Sequence, residues 1–374
     1  MSGLNATWPN TSCNGSASLS ETYRLFRVTI DVFIVGFLCL VGFIGNALTI
    51  VVLRRDRDKK NTTNWLLQTL AFADTLYLLA CVFIQTVKGI KDFTDWIPSL
   101  DIALPFMLPY MWAFASIAQT ITVWLVMLVT IDRYIAICKP LKTQLRDIQR
   151  AKLAVTVTII LAIIYNIPRF LERKIVYQYD PCLNVTIVKT TKTEFRKNNL
   201  YFLVYKTVMY FIFRAVGPLL TLLVLNIRLI RALEQVRRKH RDLTKSNKHR
   251  ENITLVLVVV VSVFIICEIP DLVLRIIFTM SELIPGITIR IWVMRYCNAI
   301  TNMLLTVNSS INFLIYCLIG QKFRNILQTM CLGAQKTSTA EASESEPLTT
   351  RVTNVQASKN GTLTHKAKDG DVCL

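Results

Sequence analysis

The sequence predicts an all-α membrane protein, a bundle of seven transmembrane helices followed by a short amphipathic eighth helix. Of its 374 residues, 53% are hydrophobic and only 18% are charged, whereas soluble domains carry roughly 25% charged residues. Seven long apolar stretches follow one another, and about 20 apolar residues suffice to cross a bilayer. The net charge of +19 lies mostly in short clusters between these stretches. A lipid bilayer explains such clusters better than nucleic acid does, and we expect no nucleic-acid partner.

The seven stretches predict one span each, and only the fourth is marginal in length. They cover residues 28–53, 64–87, 102–137, 153–167, 201–225, 253–278 and 291–319. A large soluble protein with seven buried helices is the alternative, but apolar stretches of this length are rare in water. Pro218 and Pro270 interrupt the fifth and sixth stretches and predict kinks, which membrane helices tolerate.

Basic clusters and glycosylation sequons indicate the orientation. Clusters of Lys and Arg follow the first, third and fifth stretches and predict cytoplasmic loops. The sequons on the opposite, extracellular side are at Asn5, Asn10, Asn14 and Asn184. Residues 1–20 lack the apolar core of a cleavable signal peptide, so the first stretch is expected to anchor the chain in the plasma membrane.

These expectations divide the chain into four parts. Residues 1–27 form a glycosylated extracellular N-terminus, and residues 28–319 form the bundle. Residues 320–332 form the amphipathic helix, with Cys331 as a candidate palmitoylation site. Residues 333–374 are rich in Ser and Thr and have no aromatic residue, which predicts a disordered cytoplasmic tail.

Several short motifs lie at definite places in these stretches. The third stretch ends in Asp132-Arg133-Tyr134, and the seventh ends in the run 312–316, Asn-Phe-Leu-Ile-Tyr. Gly45-Asn46 lies in the first stretch and Asp74 in the second. In this order, the motifs resemble those of the rhodopsin-like (class A) G-protein-coupled receptors over residues 28–331. Residues 117–120, 165–170 and 308–316 are similar to the invertebrate FMRFamide-type neuropeptide receptors.

The resemblance implies a receptor that passes agonist binding on to a heterotrimeric G protein. The FMRFamide-type motifs imply a short, amidated neuropeptide as the ligand. Phosphorylation of the Ser- and Thr-rich tail would create dense negative charge that arrestin could bind, although a merely solubilising tail is the alternative.

Other classes of protein fit the sequence less well. A seven-span transporter is the alternative class, but neither internal repeats nor paired broken helices are visible. A receptor for a non-peptide ligand is a further alternative. No metal-ligand spacing, nucleophile motif or phosphate-binding loop points to an enzyme.

The resemblance also implies roles for the motif at the cytoplasmic end of the third span. Asp132 and Arg133 would form an ionic latch that opens to release Arg133 toward the G protein, with Tyr134 completing the motif. Tyr316 would swing toward Arg133 in the active state.

Asp74 is a carboxylate in the middle of an apolar helix, where an isolated charge costs at least about 2.5–3.5 kcal/mol. Oxygen ligands could come from neighbouring spans, at Asn46, Thr122, Asn308, Ser309 and Asn312. The resemblance implies that Asp74, Thr122, Asn308 and Asn312 hold a structural sodium ion. A hydrogen-bonded polar network without an ion is the alternative, and no other cofactor is expected.

The sixth span departs from the family pattern. Where the family usually has Cys-Trp-x-Pro, residues 267–270 are Cys-Glu-Ile-Pro. Glu268 could pair with an arginine of the fifth span, and Asp271 with the arginine four residues later. The carboxylates could receive a cationic side chain of the peptide, or the pairs could only hold the helices together. The predicted ligand-binding residues are Gln119, Arg214, Glu268, Asp271 and Arg275.

The cysteines depart from the family pattern too. The usual cysteine at the outer end of the third span is absent, so Cys182 lacks the partner that the family implies. Cys13 is the other clearly extracellular cysteine, while Cys81 and Cys297 lie near the outer ends of spans. A disulfide between Cys13 and Cys182 is the candidate, and the sequence leaves the connectivity open.

Overall fold

A computed structural model describes residues 21–56, 62–94, 98–138, 148–180, 185–239, 245–284 and 290–331. Within these ranges the chain forms seven helices that are long and apolar enough to cross a membrane, as the sequence predicts. We number them α1 to α7 and the following amphipathic helix α8. Their bounds are Glu21–Arg55, Thr62–Phe93, Pro98–Cys138, Ile148–Phe170, residues 199–239, Lys245–Leu283, Ile291–Ile319 and Gln321–Cys331.

Helix α1 begins at Glu21, before the predicted boundary at Val28. Aromatic contacts with α7 stabilise its first turns, although the sequence of these turns is largely polar. The rings of Tyr23 and Phe26 lie 5.1 and 4.6 Å from the ring of Tyr296 in α7. These aromatic contacts extend the bundle into residues 21–27, which the sequence places in the extracellular N-terminus.

The marginal fourth stretch is a complete span. Helix α4 has 23 residues, which corresponds to about 35 Å at 1.5 Å per residue. The apolar stretch is shorter than the helix because polar residues occupy both ends of the helix. Helices α5 and α6 likewise continue past the predicted apolar limits, to Lys239 and from Lys245.

Helix α5 has wide, π-helical turns over Phe202–Ala215, directly before Pro218. Proline has no N–H to donate to the carbonyl four residues earlier, which is that of Arg214, and its ring would collide with a regular turn. The wide turns accommodate this defect and bring the Arg214 side chain into the bundle, where it is buried.

Helix α3 is at the centre of the bundle and packs against α2, α4 and α5. The core has fully buried apolar side chains from five helices, namely Val52, Leu70, Leu125, Leu222 and Phe264. Helices α1 and α7 approach closely at Gly45, where an added Cβ would lie 2.8 Å from the Phe313 side chain. Many apolar side chains on the outside of the bundle are exposed, as expected of a surface that faces lipid.

A β-hairpin connects α4 to α5 and was not predicted. Strand β1, Arg173–Asp180, pairs antiparallel with β2, Val185–Lys192, in a register that sets Arg173 opposite Lys192. Five of the first six residues of β2 are β-branched, or six of its eight in all, which favours a strand. The Thr190 hydroxyl donates to the carbonyl of Pro105 at 3.0 Å and fixes the hairpin to the outer end of α3.

Helix α8 is fixed to the bundle by charge and by aromatic packing. Lys322 lies 2.6 Å from the Asp56 carboxylate, which also accepts a hydrogen bond from Asn64 at 2.7 Å. Phe323 packs against Phe313 and Tyr316 of α7. The amphipathic helix is therefore confirmed, ending at Cys331.

Candidate functional site

A cavity of about 800 Å³ opens at the end of the bundle where the hairpin lies. Seven basic and two acidic side chains line it: Arg24, Arg27, Lys88, Arg173, Arg196, Arg275 and Arg295, with Asp92 and Asp271. We call it the outer cavity. Four of the basic residues have a carboxylate partner within 4.0 Å, in the pairs Arg27–Asp31, Lys88–Asp92, Arg196–Glu172 and Arg275–Asp271.

A second cavity of about 220 Å³ adjoins the first, and we call it the inner cavity. It shares Gln85, Trp112 and Arg173 with the outer cavity and extends to Gln119 of α3. Two buried polar atoms here have no hydrogen-bond partner in the described chain, the Gln119 Nε2 donor and the Gln85 Oε1 acceptor. Buried polar atoms are usually paired, so these two are available to a ligand.

The wall of the inner cavity contains an ion cluster around Glu172. Its carboxylate lies 2.6 Å from both Arg196 and Lys206, and it accepts a hydrogen bond from the Tyr201 hydroxyl at 2.9 Å. Burial raises the pKa of Glu172, but the neighbouring cations outweigh burial and hold that pKa below its ordinary value. Glu172 is therefore ionised at neutral pH and neutralises part of the basic wall.

The predicted pairs of α5 and α6 are both present. Arg214 Nη1 lies 3.2 Å from Glu268 Oε2, and both side chains are buried. Arg275 Nε lies 2.7 Å from Asp271 Oδ2, which also accepts a hydrogen bond from Tyr210 at 3.0 Å. The Arg275 guanidinium sits over the Tyr210 ring, 4.5 Å from its centre.

Three of the five predicted ligand-binding residues line the two cavities. Gln119 lines the inner cavity, Asp271 the outer one and Arg275 both. Arg214 and Glu268 line neither. A ligand in these cavities would therefore affect the Arg214–Glu268 pair only indirectly, through movements of α5 and α6. A cationic side chain of the ligand would meet carboxylates that already have partners.

Asp74 is fully buried and hydrogen-bonded on both oxygens. Thr122 donates to Oδ1 at 3.0 Å, Asn312 donates to Oδ2 at 2.8 Å, and the Ser309 side chain also hydrogen-bonds to the carboxylate. Among the described hydrogen bonds, none joins the predicted ligand Asn308 to Asp74. The predicted cluster is thus assembled around Thr122, Ser309 and Asn312.

The donor set at Asp74 fits a sodium ion. It offers carboxylate, hydroxyl and amide oxygens, the ligands that hard cations prefer. Asn46 donates to the Ser309 carbonyl at 3.1 Å, while its own Oδ1 is buried and has no partner in the described chain. In those same ranges, no group of three or more His, Cys, Asp or Glu side chains could hold a metal ion.

At the opposite end of α3, the predicted latch geometry is present. Arg133 Nη2 lies 2.7 Å from Asp132 Oδ2, and the Thr63 hydroxyl donates to the same oxygen at 2.8 Å. Tyr134 packs against an apolar cluster of α5 and α6. Tyr316 is buried beside Phe323 and has no described contact with Arg133.

The sequence matches the family described as "7 transmembrane receptor (rhodopsin family)" over residues 45–316, well over half of the chain. The chain belongs to the rhodopsin family of seven-transmembrane receptors. The seven spans, the Arg133–Asp132 ion pair and the buried Asp74 of this receptor fit that membership. Its family and its relatives are receptors and not enzymes.

The chain is similar to several other receptors. It is 29% identical to the FMRFamide receptor of Drosophila melanogaster over 78% of the chain and 52% of that protein. It is 23% identical to the FMRFamide peptide receptor frpr-18 of Caenorhabditis elegans over 77% of the chain and 66% of that protein. The growth hormone secretagogue receptor type 1 of Oryctolagus cuniculus is 29% identical over 77% of the chain and 76% of that protein. The chain thus spans about half the length of the Drosophila relative.

Several predicted sites lie outside the described residues. They are the cysteines Cys13 and Cys182 and the sequons at Asn5, Asn10, Asn14 and Asn184. Cys331 is the last residue of α8. The disulfide, the glycosylation and the palmitoylation stay predictions.

The residues of the inner cavity that sequence reasoning missed include Gln85, Glu172 and Lys206. A signal existed for two of them. Lys206 is a charge inside an apolar stretch, which marks a functional candidate, and Glu172 is an acid among the basic residues of the loop. Gln85 carried no such signal, because a polar residue near the end of a span is ordinary.

Proposed function

We propose that this receptor binds a short, amidated peptide of the FMRFamide type and passes binding on to a heterotrimeric G protein. The unpartnered Gln119 donor and Gln85 acceptor in one cavity support this proposal most directly. A primary carboxamide has a carbonyl oxygen that can accept from Gln119 and an N–H that can donate to Gln85. The names of the Drosophila and Caenorhabditis relatives, which refer to FMRFamide, point to the same chemistry.

The unpaired hydrogen-bonding groups of the inner cavity favour an amide over a free carboxylate. Arg196 and Lys206 are already paired with Glu172, and Arg169 donates to Asn166 Oδ1 at 3.1 Å. A carboxylate has no proton to donate to Gln85 Oε1, so its burial would leave that acceptor unpaired. A neutral amide satisfies both glutamines at no such cost.

A route from the cavities to the G protein follows the helices that line them. The ligand would alter the Arg275–Asp271 pair of α6 at the cavity wall and, through α6, the buried Arg214–Glu268 pair. A shift of α6 against α3 would loosen the closed Arg133–Asp132 latch at the other end. Only a ligand that binds the open arrangement more tightly than the closed one can shift this equilibrium.

The amide prediction can be tested with one peptide in two forms. We expect the amidated peptide to exceed its free acid in potency by about tenfold or more, equivalent to about 1.4 kcal/mol. Gln119→Leu should remove most of that preference, because the donor is lost while the side-chain volume is kept. The measurement is guanine-nucleotide exchange by purified receptor with a panel of G proteins.

The control variant is Gln178→Leu, the same change at an exposed position of β1 that lines neither cavity. It should respond like the unaltered receptor. Equal potency of the two peptide forms on the unaltered receptor would contradict the amide proposal. Absence of any exchange with amidated peptides would contradict peptide sensing itself.

The orientation in the membrane is part of this proposal. We place the hairpin side and the N-terminus outside the cell and the α8 side in the cytoplasm of a plasma-membrane protein. The basic clusters between spans support that choice.

The Asp74 cluster is proposed to hold a sodium ion through the Asp74 carboxylate and the oxygens of Thr122 and Ser309. The bound ion would supply positive charge that stabilises the buried carboxylate in the inactive arrangement.

The C-terminal tail is proposed to bind arrestin after phosphorylation. Seven Ser and Thr residues lie between positions 338 and 353, near three glutamates, and each phosphate would add roughly −1.5 to −2 charge. Truncation after Leu332 should lower agonist-driven arrestin recruitment by at least about half, while G-protein activation persists. Energy transfer between tagged receptor and arrestin measures recruitment. Equal recruitment by truncated and full-length receptors would place the arrestin site elsewhere.

A further inference from the structure

Three arginines of the outer cavity have no carboxylate partner in the described chain. They are Arg24 of α1, Arg173 of β1 and Arg295 of α7, and all three are exposed. Arg24 donates to the carbonyl of Phe93 at 3.2 Å, which leaves its positive charge unneutralised. The other four basic residues of the cavity are each paired, as described above. The unpaired positive charge thus lies on three separate elements around one opening.

This concentration of charge is not explained by membrane topology. Excess Lys and Arg stabilises the cytoplasmic side, whereas these arginines lie at the opposite end from Asp132 and α8. Partial burial of Arg173 and the nearby charge of Arg196 lower the pKa of Arg173 more than the Glu172 carboxylate raises it, so the like charges of Arg173 and Arg196 are only partly compensated. An anionic ligand would relieve that repulsion.

The chemistry of arginine narrows the class of ligand. The planar guanidinium presents paired N–H donors that match the two oxygens of a carboxylate. The outer cavity shares Gln85, Trp112 and Arg173 with the inner one. A peptide whose amide occupies the inner cavity therefore places its preceding residues along the outer one.

We propose that the opening of the outer cavity binds the side-chain carboxylate of an aspartate or glutamate that precedes the amidated end of the peptide. This inference rests on the proposed function, because it takes the amide in the inner cavity as its starting point. The receptor would then discriminate among amidated peptides by an acidic residue upstream of their common ending.

The test uses two synthetic peptides that differ by one charge. Both are FMRFamide extended at the N-terminus, one by aspartate and one by asparagine, and both are acetylated so that the terminal amine carries no charge. Potency is measured by calcium and cyclic AMP responses and by competition binding, in cells whose surface expression of receptor is quantified. We expect the aspartyl peptide to be about tenfold more potent, and its advantage to shrink as salt rises, since screening weakens exposed charges.

The variants locate the effect. Arg173→Gln and Arg295→Gln should each reduce the advantage of the aspartyl peptide, measured as the ratio of its potency to that of the asparaginyl peptide on the same variant. Arg295→Lys keeps the charge and should keep part of the advantage. Arg290→Gln is the matched control, because this exposed arginine borders α7 but does not line the cavity, and the full advantage should remain.

The outcomes separate the two proposals. Equal potency of both peptides on the unaltered receptor overturns this inference and leaves the proposed function standing. An advantage that survives in Arg173→Gln, Arg295→Gln and their double variant also overturns it. If neither peptide produces a response in cells that display the receptor, the proposed function fails and this inference fails with it.

Discussion

Replacing Glu268 by glutamine is expected to destabilise the receptor by about 3–5 kcal/mol and to change agonist potency or basal activity by more than about tenfold. Glu268 and Arg214 are each less than a tenth exposed, and their charged atoms lie 3.2 Å apart. Glutamine keeps the shape of the side chain but leaves the Arg214 charge buried without its counter-charge. The cost of the change is therefore electrostatic, since almost no packing volume is lost.

The measurements are the melting temperature of the purified receptor and its basal rate of guanine-nucleotide exchange. Arg214→Gln should be comparably damaging, whereas the double variant with two glutamines should recover much of the stability, because two neutral amides can hydrogen-bond. This cycle isolates the interaction between the two residues. The control is Glu194→Gln, the same change in an exposed pair with Lys197, which should leave both measurements unchanged.

Additive effects of the two single substitutions would show that the residues do not act as a pair. Unchanged stability, potency and basal activity in Glu268→Gln would remove the pair from the mechanism altogether. Damage confined to stability would favour the alternative that the pair only holds α5 and α6 together. Damage to potency at preserved stability would place the pair on the route from ligand to G protein.

The sequence predicted the features that depend on the length of apolar stretches and on charged residues that are energetically costly inside a membrane. Long apolar stretches define the spans, because the bilayer sets their length. Charged side chains within those stretches, such as Glu268 and Arg214, must pair with an opposite charge. Only residues of neighbouring spans are close enough to supply it. The partners of Asp74 could be named for the same reason, and the described hydrogen bonds to its carboxylate include those of Thr122 and Asn312.

The sequence could not predict what depends on the relative rotation and depth of the helices. Gln85 and Gln119 line the same cavity only because α2 and α3 turn those faces toward each other. The β-branched residues of β2 favour a strand, but the pairing of β2 with β1 depends on contacts between two separate segments of the α4–α5 connection. The wide turns of α5 result from a backbone defect at Pro218 that alters which residues point inward.

Asp74→Asn is expected to abolish every sodium-dependent property of the receptor. If the Asp74 cluster binds sodium in the inactive arrangement, sodium must raise the melting temperature and weaken agonist binding, since a ligand stabilises the state that binds it. Choline chloride at equal ionic strength supplies the comparison, so that general screening is the same in both buffers. Asparagine removes the negative charge that attracts the ion while keeping the hydrogen bonds to Thr122 and Ser309 geometrically feasible.

Further variants decide whether the ion or a plain polar network occupies this site. Asp31→Asn is the control, because Asp31 is a buried acid of α1 that pairs with Arg27, and its loss should leave the sodium response intact. Thr122→Val should weaken the response, since Thr122 contacts Asp74, whereas Asn308→Ala should preserve it. Sodium dependence that survives Asp74→Asn would exclude the site. An unaltered receptor that behaves identically in sodium and choline would establish the hydrogen-bonded network, with the Asp74 side chain stabilised by Thr122, Ser309 and Asn312 alone.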